Sequence, residues 1–296
     1  MLKRTLLFTS PVHLSLKNEQ LVVNFKDIPD DKRTIPLEDI GYVIIDNPMA
    51  SMTMPLINAL ADNNVALIFC DDRGMPHAML QNLDTHTLQC EILNTQIGVG
   101  EVLKKQLWKQ TIEAKIKNQS KLLTKLGKDG SVLKPYYCNV KSGDSDNREG
   151  LAARIYWNYL FGDDFVRDRS LPGINALLNY GYTILRSATA RALMGSGLMP
   201  SIGIFHHNRS NAFPLADDIM EPYRPYVDEI VYEMYHKGIV ELNQAAKSSL
   251  LHVLTCDTHF TKVTRPLSIA LTMTTSSLVK CYAKELDKLN YPLMKI

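Results

Sequence analysis

One short window of the chain, residues 203–228 with the sequence GIFHHNRSNAFPLADDIMEPYRPYVD, concentrates side chains that can bind a metal ion. It contains two histidines, two adjacent aspartates and a glutamate, namely His206, His207, Asp217, Asp218 and Glu221. Divalent cations that act on phosphate prefer carboxylate oxygens, and an imidazole widens the choice from Mg²⁺ towards Mn²⁺. Glu149, in the segment NREGLAARIYW, supplies a further carboxylate from a distant part of the sequence. These residues predict a metal-dependent enzyme that cuts or joins DNA.

The chemistry of phosphodiesters explains why such a set is needed. Displacement at phosphorus must stabilise extra negative charge and activate an oxygen nucleophile, and a divalent cation does both. Two carboxylates can hold the cation while leaving coordination sites for the phosphate and the nucleophile. Arginines nearby can then bind the non-bridging oxygens in a bidentate manner. We therefore predict DNA contacts from the arginines that lie near the candidate ligands: Arg148, Arg154, Arg209 and Arg224.

Simpler structural roles are also open for these residues. Asp146 followed three residues later by Glu149 is a capping-box pattern, in which Glu149 would bind a backbone N–H. His206 and His207 are adjacent, so in an extended segment they point to opposite sides and at most one can face a given metal. A lone histidine is more often a surface or core residue than a ligand.

The two acidic residues Asp218 and Glu221 are three positions apart and would share one face of a helix. Pro222 disfavours helical geometry at the residue before it, so either the helix kinks there or the two carboxylates diverge. Asp217 also suits the cap of this helix.

A dense set of lysines marks the segment between Glu101 and Lys128. Eight lysines stand against two glutamates there, at positions 104, 105, 109, 115, 117, 121, 125 and 128. The set is typical of a solvated helix face, or of a stripe that displaces counterions from a polyanion. On the second interpretation, Lys104, Lys105 and Lys109 are the candidate DNA contacts.

Composition bounds the remaining possibilities. A chain of 296 residues fits one large or two ordinary domains, and a hydrophobic fraction of 45% is typical of a globular protein. No apolar run approaches the roughly 18 residues that span a bilayer, and the N-terminus lacks a signal core, so we expect a cytoplasmic protein without a membrane partner. Five cysteines without a CxxC pair favour reduced thiols over a zinc site. No P-loop, GxSxG or dinucleotide motif is present, which leaves ATP use and covalent serine chemistry unsupported.

The pattern of apolar residues changes near residue 85. Before it, short alternating segments predict strands at 4–8, 12–16, 21–25, 34–37, 42–46, 65–70 and 76–80, and a proline-led helix at 55–61. After it, helical periodicity predicts helices at 101–126, 147–161, 174–194, 216–237, 240–255 and 265–288, with a loop at 128–146. The predicted fold is α+β: a small N-terminal mostly-β domain (1–85), for packing or dimerisation, and a larger all-α catalytic domain (86–296).

Three segments in this order resemble the CRISPR adaptation integrase family, whose members are the endonuclease subunits that capture new spacers. They are NREGLAARIYW, LNYGYTILRSATARAL and SGLMPSIGIFHHNRSNAFPLADDIMEPYRPYVD. The resemblance covers nearly the whole chain and is strongest to the type II branch. The family's fold, a β domain followed by a helical catalytic domain, agrees with the change in pattern.

The resemblance implies a set of metal ligands. They fall on Glu149, His206 and Glu221, and Asp218 matches a further acidic position that binds the metal directly or through water. The histidine doublet leaves the register ambiguous by one residue, so His207 stays open as an alternative. The implied cofactor is Mg²⁺ or Mn²⁺.

The resemblance also implies a reaction and partners. A 3′-hydroxyl of a captured DNA fragment would attack a phosphodiester at the edge of a CRISPR repeat, a transesterification that needs no nucleotide triphosphate. The implied assembly is a hetero-hexamer: two homodimers of this chain flank a dimer of a small ferredoxin-like CRISPR adaptation subunit, with an effector nuclease and accessory adaptation proteins as further contacts. The alternatives are a metal-dependent nuclease or phosphohydrolase without integration activity and a non-enzymatic nucleic-acid-binding scaffold.

Overall fold

A computed structural model describes residues 3–28, 31–80, 82, 85–206 and 208–296 of the chain. The chain forms two compact units, the first ending at Thr85 and the second beginning at His86. Strands dominate the first unit and helices the second. The predicted α+β class is therefore confirmed.

In its described residues, the first unit contains two four-stranded sheets, one α-helix and a 3₁₀ turn at Leu37–Asp39. Its elements are β1 (Arg4–Phe8), β2 (Val12–Lys17), β3 (Gln20–Phe25), β4 (Lys32–Pro36), β5 (Ile40–Ile45), β6 (Ser51–Met52), α1 (Met54–Asp62), β7 (Ala66–Cys70) and β8 (Pro76–Leu80). One sheet has the order β1-β5-β7-β8 and the other β4-β3-β2-β6. Strands β1, β5 and β7 are parallel, whereas β7 and β8 are antiparallel.

Local sequence explains this arrangement. In β2, Val12 and Leu14 are buried whereas His13 between them is exposed, which is the alternation of a strand with one face on a core. The hairpin from β2 to β3 turns through Asn18 and Glu19, both with positive φ, as a two-residue turn requires. All six residues of β5 are buried, as in a central strand covered on both faces.

The second unit is built around one long helix. Its elements are α2 (Gln89–Ile97), α3 (Glu101–Lys125), α4 (Lys134–Tyr137), α5 (Arg148–Phe161), α6 (Ile174–Gly195), α7 (Pro214–Met220), α8 (Arg224–His236), α9 (Gln244–Leu251), β9 (Asp257–His259), β10 (Thr264–Pro266) and α10 (Leu267–Tyr282). Helix α3 packs against α5, α8 and the turn between α7 and α8. None of the helices in the described residues is long and apolar enough to cross a membrane.

The prediction of a loop at 128–146 was wrong. This segment contains α4 and two 3₁₀ turns, Gly130–Leu133 and Ser142–Asp144, which pack against α3. A Cβ on Gly130 would lie 2.0 Å from the backbone oxygen of Ser120, so only glycine allows this close approach. Pro135 stands in the first turn of α4, where a missing N–H costs nothing.

Three further predictions in the second unit need correction. The helix predicted at 216–237 is divided by a 3₁₀ turn, Glu221–Tyr223, which follows from Pro222 at the start of that turn. The short hairpin of β9 and β10 was missed, so the unit is not entirely helical. Helix α2 was also missed.

Candidate functional site

Glu149 lies in the first turn of α5, and neighbouring side chains satisfy the backbone of that turn. Asn147 caps the helix, and its side-chain oxygen accepts the N–H of Gly150 at 3.1 Å. Asp144 accepts the N–H of Glu149 at 3.1 Å. The capping box between Asp146 and Glu149 was therefore the wrong interpretation, and the Glu149 side chain is directed elsewhere.

That side chain meets Glu221 across a lysine. The Lys115 Nζ lies 2.5 Å from Oε1 of Glu149 and 2.5 Å from Oε2 of Glu221. These two carboxylate oxygens are consequently no more than 5.0 Å apart, although 72 positions separate the residues along the chain. The structure thus brings together two of the three predicted ligands. Burial opposes the charge on Lys115, but Glu149 and Glu221 raise the pKa of its ammonium.

Glu221 is buried, and two cations keep it ionised. Arg224 Nη2 lies 2.9 Å from Oε1 of Glu221, on the side opposite to the lysine contact. Although burial works in the other direction, the charges of Arg224 and Lys115 lower the pKa of Glu221 to about 2. Its Oε2 atom is buried and lies in ionic contact with Lys115. Both carboxylate oxygens of Glu221 are therefore engaged by cations in this arrangement.

His206 is oriented by Asp218, which is fully buried. The imidazole Nδ1 lies 2.6 Å from Asp218 Oδ1. Asp218 also accepts three backbone N–H groups, those of Ile204, Phe205 and His206, at 2.6, 3.0 and 3.2 Å. A Cβ on Gly203 would lie 2.6 Å from the backbone oxygen of His206, so glycine permits this tight turn.

The hydrogen bond that the ring donates to Asp218 raises the pKa of His206, although burial opposes the shift. The contact engages Nδ1 and leaves Nε2 for a ligand, which is the common arrangement of metal-binding histidines. Since both oxygens of Asp218 are already engaged, the predicted direct metal contact of this residue gains no support from its geometry. His207 lies outside the described residues.

An aromatic pair supports the ring of His206. Phe205 stacks on Trp108, with ring centroids 4.3 Å apart and an interplanar angle of 5°. The edge of His206 meets Trp108 at 5.6 Å. Trp108 is buried in α3 and contacts the imidazole only through ring edges. The hydrogen bond to Asp218 therefore determines the rotation of the ring.

Basic side chains gather beside Glu221. Arg186 forms a bidentate pair with Asp217, at 2.7 and 3.1 Å, so Asp217 binds an arginine rather than capping the helix. A cavity of about 260 Å³ is lined by four arginines together with other residues: Arg167, Arg169, Asn179, Tyr182, Thr183, Arg186, Met220 and Arg224. Behind it, the hydroxyl groups of Tyr156 and Tyr182 donate to the buried Asp228. The Arg224 guanidinium lies 4.5 Å above the ring of Tyr182.

The residues present fit a Mg²⁺ or Mn²⁺ ion. Two carboxylates with oxygens no more than 5.0 Å apart, and one imidazole whose Nε2 is outside the hydrogen bond to Asp218, are oxygen and nitrogen donors of the type these ions take. In the described part of the chain, no three acidic, histidine or cysteine side chains stand close enough together to hold a metal ion as they are placed. A cation of the protein itself, Lys115, stands between the two carboxylates instead.

The predicted DNA contacts are in varied surroundings. Arg154, Arg209 and Lys105 are exposed. Arg148 pairs with Asp146 at 2.8 Å, Lys104 with Glu101 at 3.1 Å and Lys109 with Glu113 at 3.6 Å, all on the surface or partly buried. Arg224 lies inside the site through its bond to Glu221. DNA binding by these residues stays a prediction.

Sequence reasoning counted Lys115 only as one lysine among eight, and it missed Trp108, Arg186 and Asp228. A signal for Lys115 was available. It follows Thr111 by four residues and Ile112 by three, both buried in α3, so it lies on the buried side of the helix. A lysine at such a position needs a buried acidic partner.

Comparison with known proteins decides the family. The sequence profile of the family described as CRISPR associated protein Cas1 matches residues 6–264. The chain belongs to the Cas1 family. This confirms the resemblance seen in the sequence and the predicted function in CRISPR adaptation.

Relatives of this Cas1 protein include two that match over most of their length. A CRISPR-associated endonuclease Cas1 of Neisseria meningitidis serogroup C (strain 8013) is 38% identical over 255 residues, 85% of this chain and 83% of the relative. Another, of Francisella tularensis subsp. novicida (strain U112), is 30% identical over 246 residues, 75% of this chain and 76% of the relative.

Solved structures share the fold. A casposase bound to its integration product superposes with a TM-score of 0.79 at 19% identity, covering 97% of this chain and 92% of the casposase. A Cas1 protein from Thermotoga maritima gives 0.75 at 17% identity, covering 95% and 97%. A Cas6-RT-Cas1–Cas2 complex gives 0.75 at 21% identity, covering 99% of this chain and 36% of that one. At these identities the likeness establishes the fold alone.

Proposed function

We propose that this Cas1 protein is a metal-dependent DNA integrase that joins captured fragments to a CRISPR repeat by transesterification. The observation that carries the proposal is that Glu149, in the first turn of α5, and Glu221, in the 3₁₀ turn after α7, both contact the same lysine although they are distant in sequence. The curated relatives are named endonucleases, and the casposase structure is described as bound to an integration product. Both names agree with phosphodiester chemistry at such a site.

Three side chains would hold the ion: Glu149, Glu221 and, through Nε2, His206. A bound Mg²⁺ or Mn²⁺ would supply a Lewis acid for the attacked phosphate and lower the pKa of the attacking hydroxyl. Asp218 holds the imidazole in the tautomer with the proton on Nδ1, and the N–H groups of residues 204–206 hold Asp218. We therefore assign Asp218 to orientation of the histidine rather than to direct ligation.

The arginine-lined cavity provides the positive charge that DNA requires. Arg224 is committed to Glu221 and Arg186 to Asp217, so these two position acidic residues while facing the cavity. Arg167 donates hydrogen bonds to the side-chain oxygens of Asn175 and Asn179, at 2.8 and 2.7 Å. These partners carry no charge, so they do not neutralise the guanidinium. Its charge is the one best placed to bind a phosphate within the cavity.

The partners follow from the same resemblance. One solved structure that shares the fold is a Cas6-RT-Cas1–Cas2 complex. We propose that the present chain likewise forms homodimers and joins a small ferredoxin-like Cas2-type subunit in a hetero-hexamer, with double-stranded DNA as substrate. Co-purification followed by mass measurement of the intact assembly tests this stoichiometry.

A strand-transfer assay tests the activity. Purified protein and its partner subunit are incubated with Mn²⁺, a labelled DNA fragment with a free 3′-hydroxyl and a plasmid that carries the repeat. We expect the label to appear covalently in the plasmid, and we expect Glu149→Ala and His206→Ala to lose joining while DNA binding survives. Hydrolysis without joining would favour the nuclease alternative. Intact activity in both variants, with binding lost in a Lys104/Lys105/Lys109 triple-alanine variant, would favour a scaffold.

A further inference from the structure

Lys115 differs from the other lysines of its helix. Of the eight lysines between Lys104 and Lys128, all within the described residues, Lys115 alone is buried, with 9% of its surface exposed. A buried ammonium is stable only when acidic groups compensate it. Here both compensating groups are predicted metal ligands, Glu149 and Glu221.

The ammonium occupies the space that a ligated ion would need. It lies 2.5 Å from an oxygen of each carboxylate, whereas Mg²⁺ binds oxygens at roughly 2.0–2.1 Å. An ion that bridges these two oxygens must therefore replace Nζ between them. That exchange releases Oε1 of Glu149 and Oε2 of Glu221 from the lysine.

The charges give the same answer. Glu149 and Glu221 carry two negative charges, and Lys115 and Arg224, in contact with them, carry two positive charges. This cluster is therefore neutral before any ion binds. A dication that entered while Lys115 stayed in place would leave uncompensated positive charge in a buried site, which is strongly unfavourable.

We propose that Lys115 is a placeholder cation, which holds the two carboxylates together in the metal-free protein and leaves when a divalent ion binds. The inference rests on the proposed metal site at Glu149 and Glu221. Lys115 lowers the affinity for the ion because the ion must displace it. In the metal-free protein it also prevents the buried Glu221 and the partly exposed Glu149 from repelling each other.

One consequence concerns DNA. The displaced ammonium remains beside the site because Lys115 belongs to α3. A phosphate that enters with the ion can then pair with this ammonium in place of Glu149 and Glu221. Binding of the metal and binding of DNA should therefore favour each other.

Calorimetric titration with Mn²⁺ tests the proposal on the full chain. Lys115→Met removes the competing cation and should bind Mn²⁺ about tenfold more tightly or better. In this variant the metal breaks no ion pair of Lys115 and instead neutralises the carboxylates that the substitution has left without that cation. Lys115→Gln should gain in the same direction, and Lys115→Arg, which keeps the charge, should not gain. Lys125→Met is the matched control, since Lys125 lies on the same helix but pairs with Glu229.

Thermal unfolding provides a second measurement. Without metal, Lys115→Met should melt at a lower temperature than the wild type, and Mn²⁺ should raise its melting temperature by more than it raises that of the wild type. Equal or weaker Mn²⁺ binding by both Lys115→Met and Lys115→Gln would overturn the placeholder role. If instead wild type binds no Mn²⁺, or Glu149→Ala and Glu221→Ala bind it as wild type does, the proposed metal site itself is wrong.

Discussion

Replacing Asp218 by asparagine tests how the site positions its histidine. The change keeps the shape of the side chain and replaces one carboxylate oxygen by an NH₂ group. In the wild type, one oxygen accepts from Ile204 and Phe205, and the other accepts from the backbone and ring of His206. With the NH₂ group turned towards His206, the ring can move its proton to Nε2 and accept from the amide through Nδ1, so only the backbone N–H of His206 loses its acceptor.

The magnitude follows from that lost bond. A buried donor left unsatisfied costs about 1–3 kcal/mol, so Asp218→Asn should lower the free energy of unfolding by about 1–3 kcal/mol. Removal of a buried charge offsets part of this loss, which places the expected value near the lower end. The affinity for Mn²⁺ should fall by roughly 10- to 100-fold, as is usual when a partner that orients a metal-binding histidine is removed.

Three measurements check the reasoning: urea unfolding, calorimetric titration with Mn²⁺, and NMR titration of the His206 ring. The hydrogen bond that the ring donates to Asp218 raises the pKa of His206, so that pKa should fall in the variant. Asp217→Asn is the matched control, because Asp217 is the neighbouring residue and pairs with Arg186 instead. The control should lose stability and keep its Mn²⁺ affinity within about threefold.

A double-mutant cycle separates orientation from direct ligation. If Asp218 acts through His206, then Asp218→Asn should have little effect on Mn²⁺ affinity once His206 has been replaced by alanine. Additive losses in the double variant would show that Asp218 binds the metal itself. Unchanged affinity in the single variant would refute the orienting role.

Three further changes have definite expected outcomes. Glu149→Gln should reduce strand transfer by about 100-fold or more with DNA retention unchanged in gel-shift assays, since a ligand contributes at least as much as an outer-sphere partner; activity near wild type would count against ligation. Asn147→Ala should lower stability in urea by about 1 kcal/mol through loss of the helix cap, whereas Asn147→Gly, which suits the positive φ there, should lose less. Burial raises the pKa of Asp228 to about 6 despite the hydrogen bonds from Tyr182 and Tyr156, so its contribution to stability declines as the pH rises from about 4 to about 6. Urea unfolding at pH 4.5 and pH 7 should show a loss of about 2 kcal/mol from this residue, absent in Asp228→Asn; identical profiles would contradict it.

Much of the fold was predictable because its signals are local. The alternation of Val12 and Leu14 and the turn at Asn18 determine a hairpin within a few residues of each other. Segment 128–146 was mistaken for a loop because its polar composition carries no periodicity. The short helical turns of this segment are stabilised by packing on α3, for example where Gly130 lies against the backbone of Ser120. A contact between segments of this kind cannot be predicted from the adjacent sequence.

The candidate site divides in the same way. Glu149, His206 and Glu221 were selected for the chemistry of their side chains, and that reasoning needed no distances. The roles of Asp218 and Lys115 depend on which segments meet. Spacing predicts that Asp218 shares a face with Glu221, yet Asp218 turns to the backbone of residues 204–206. Lys115 contacts residues 34 and 106 positions away, a pairing that only the packed helices determine.

Four acidic residues of the site have basic partners, and this has a consequence for metal binding. Glu149 and Glu221 share Lys115, Asp217 has Arg186, and Asp218 has His206. Two carboxylates as close as those of Glu149 and Glu221 would repel each other without a cation between them. A metal ion that takes the place of Lys115 must therefore exchange one internal ion pair for another, whereas a phosphate can reach Arg167 without such an exchange. The affinity for a metal ion is thus determined by the difference between ion pairs, and removal of Lys115 should strengthen metal binding where removal of Glu149 or Glu221 weakens it.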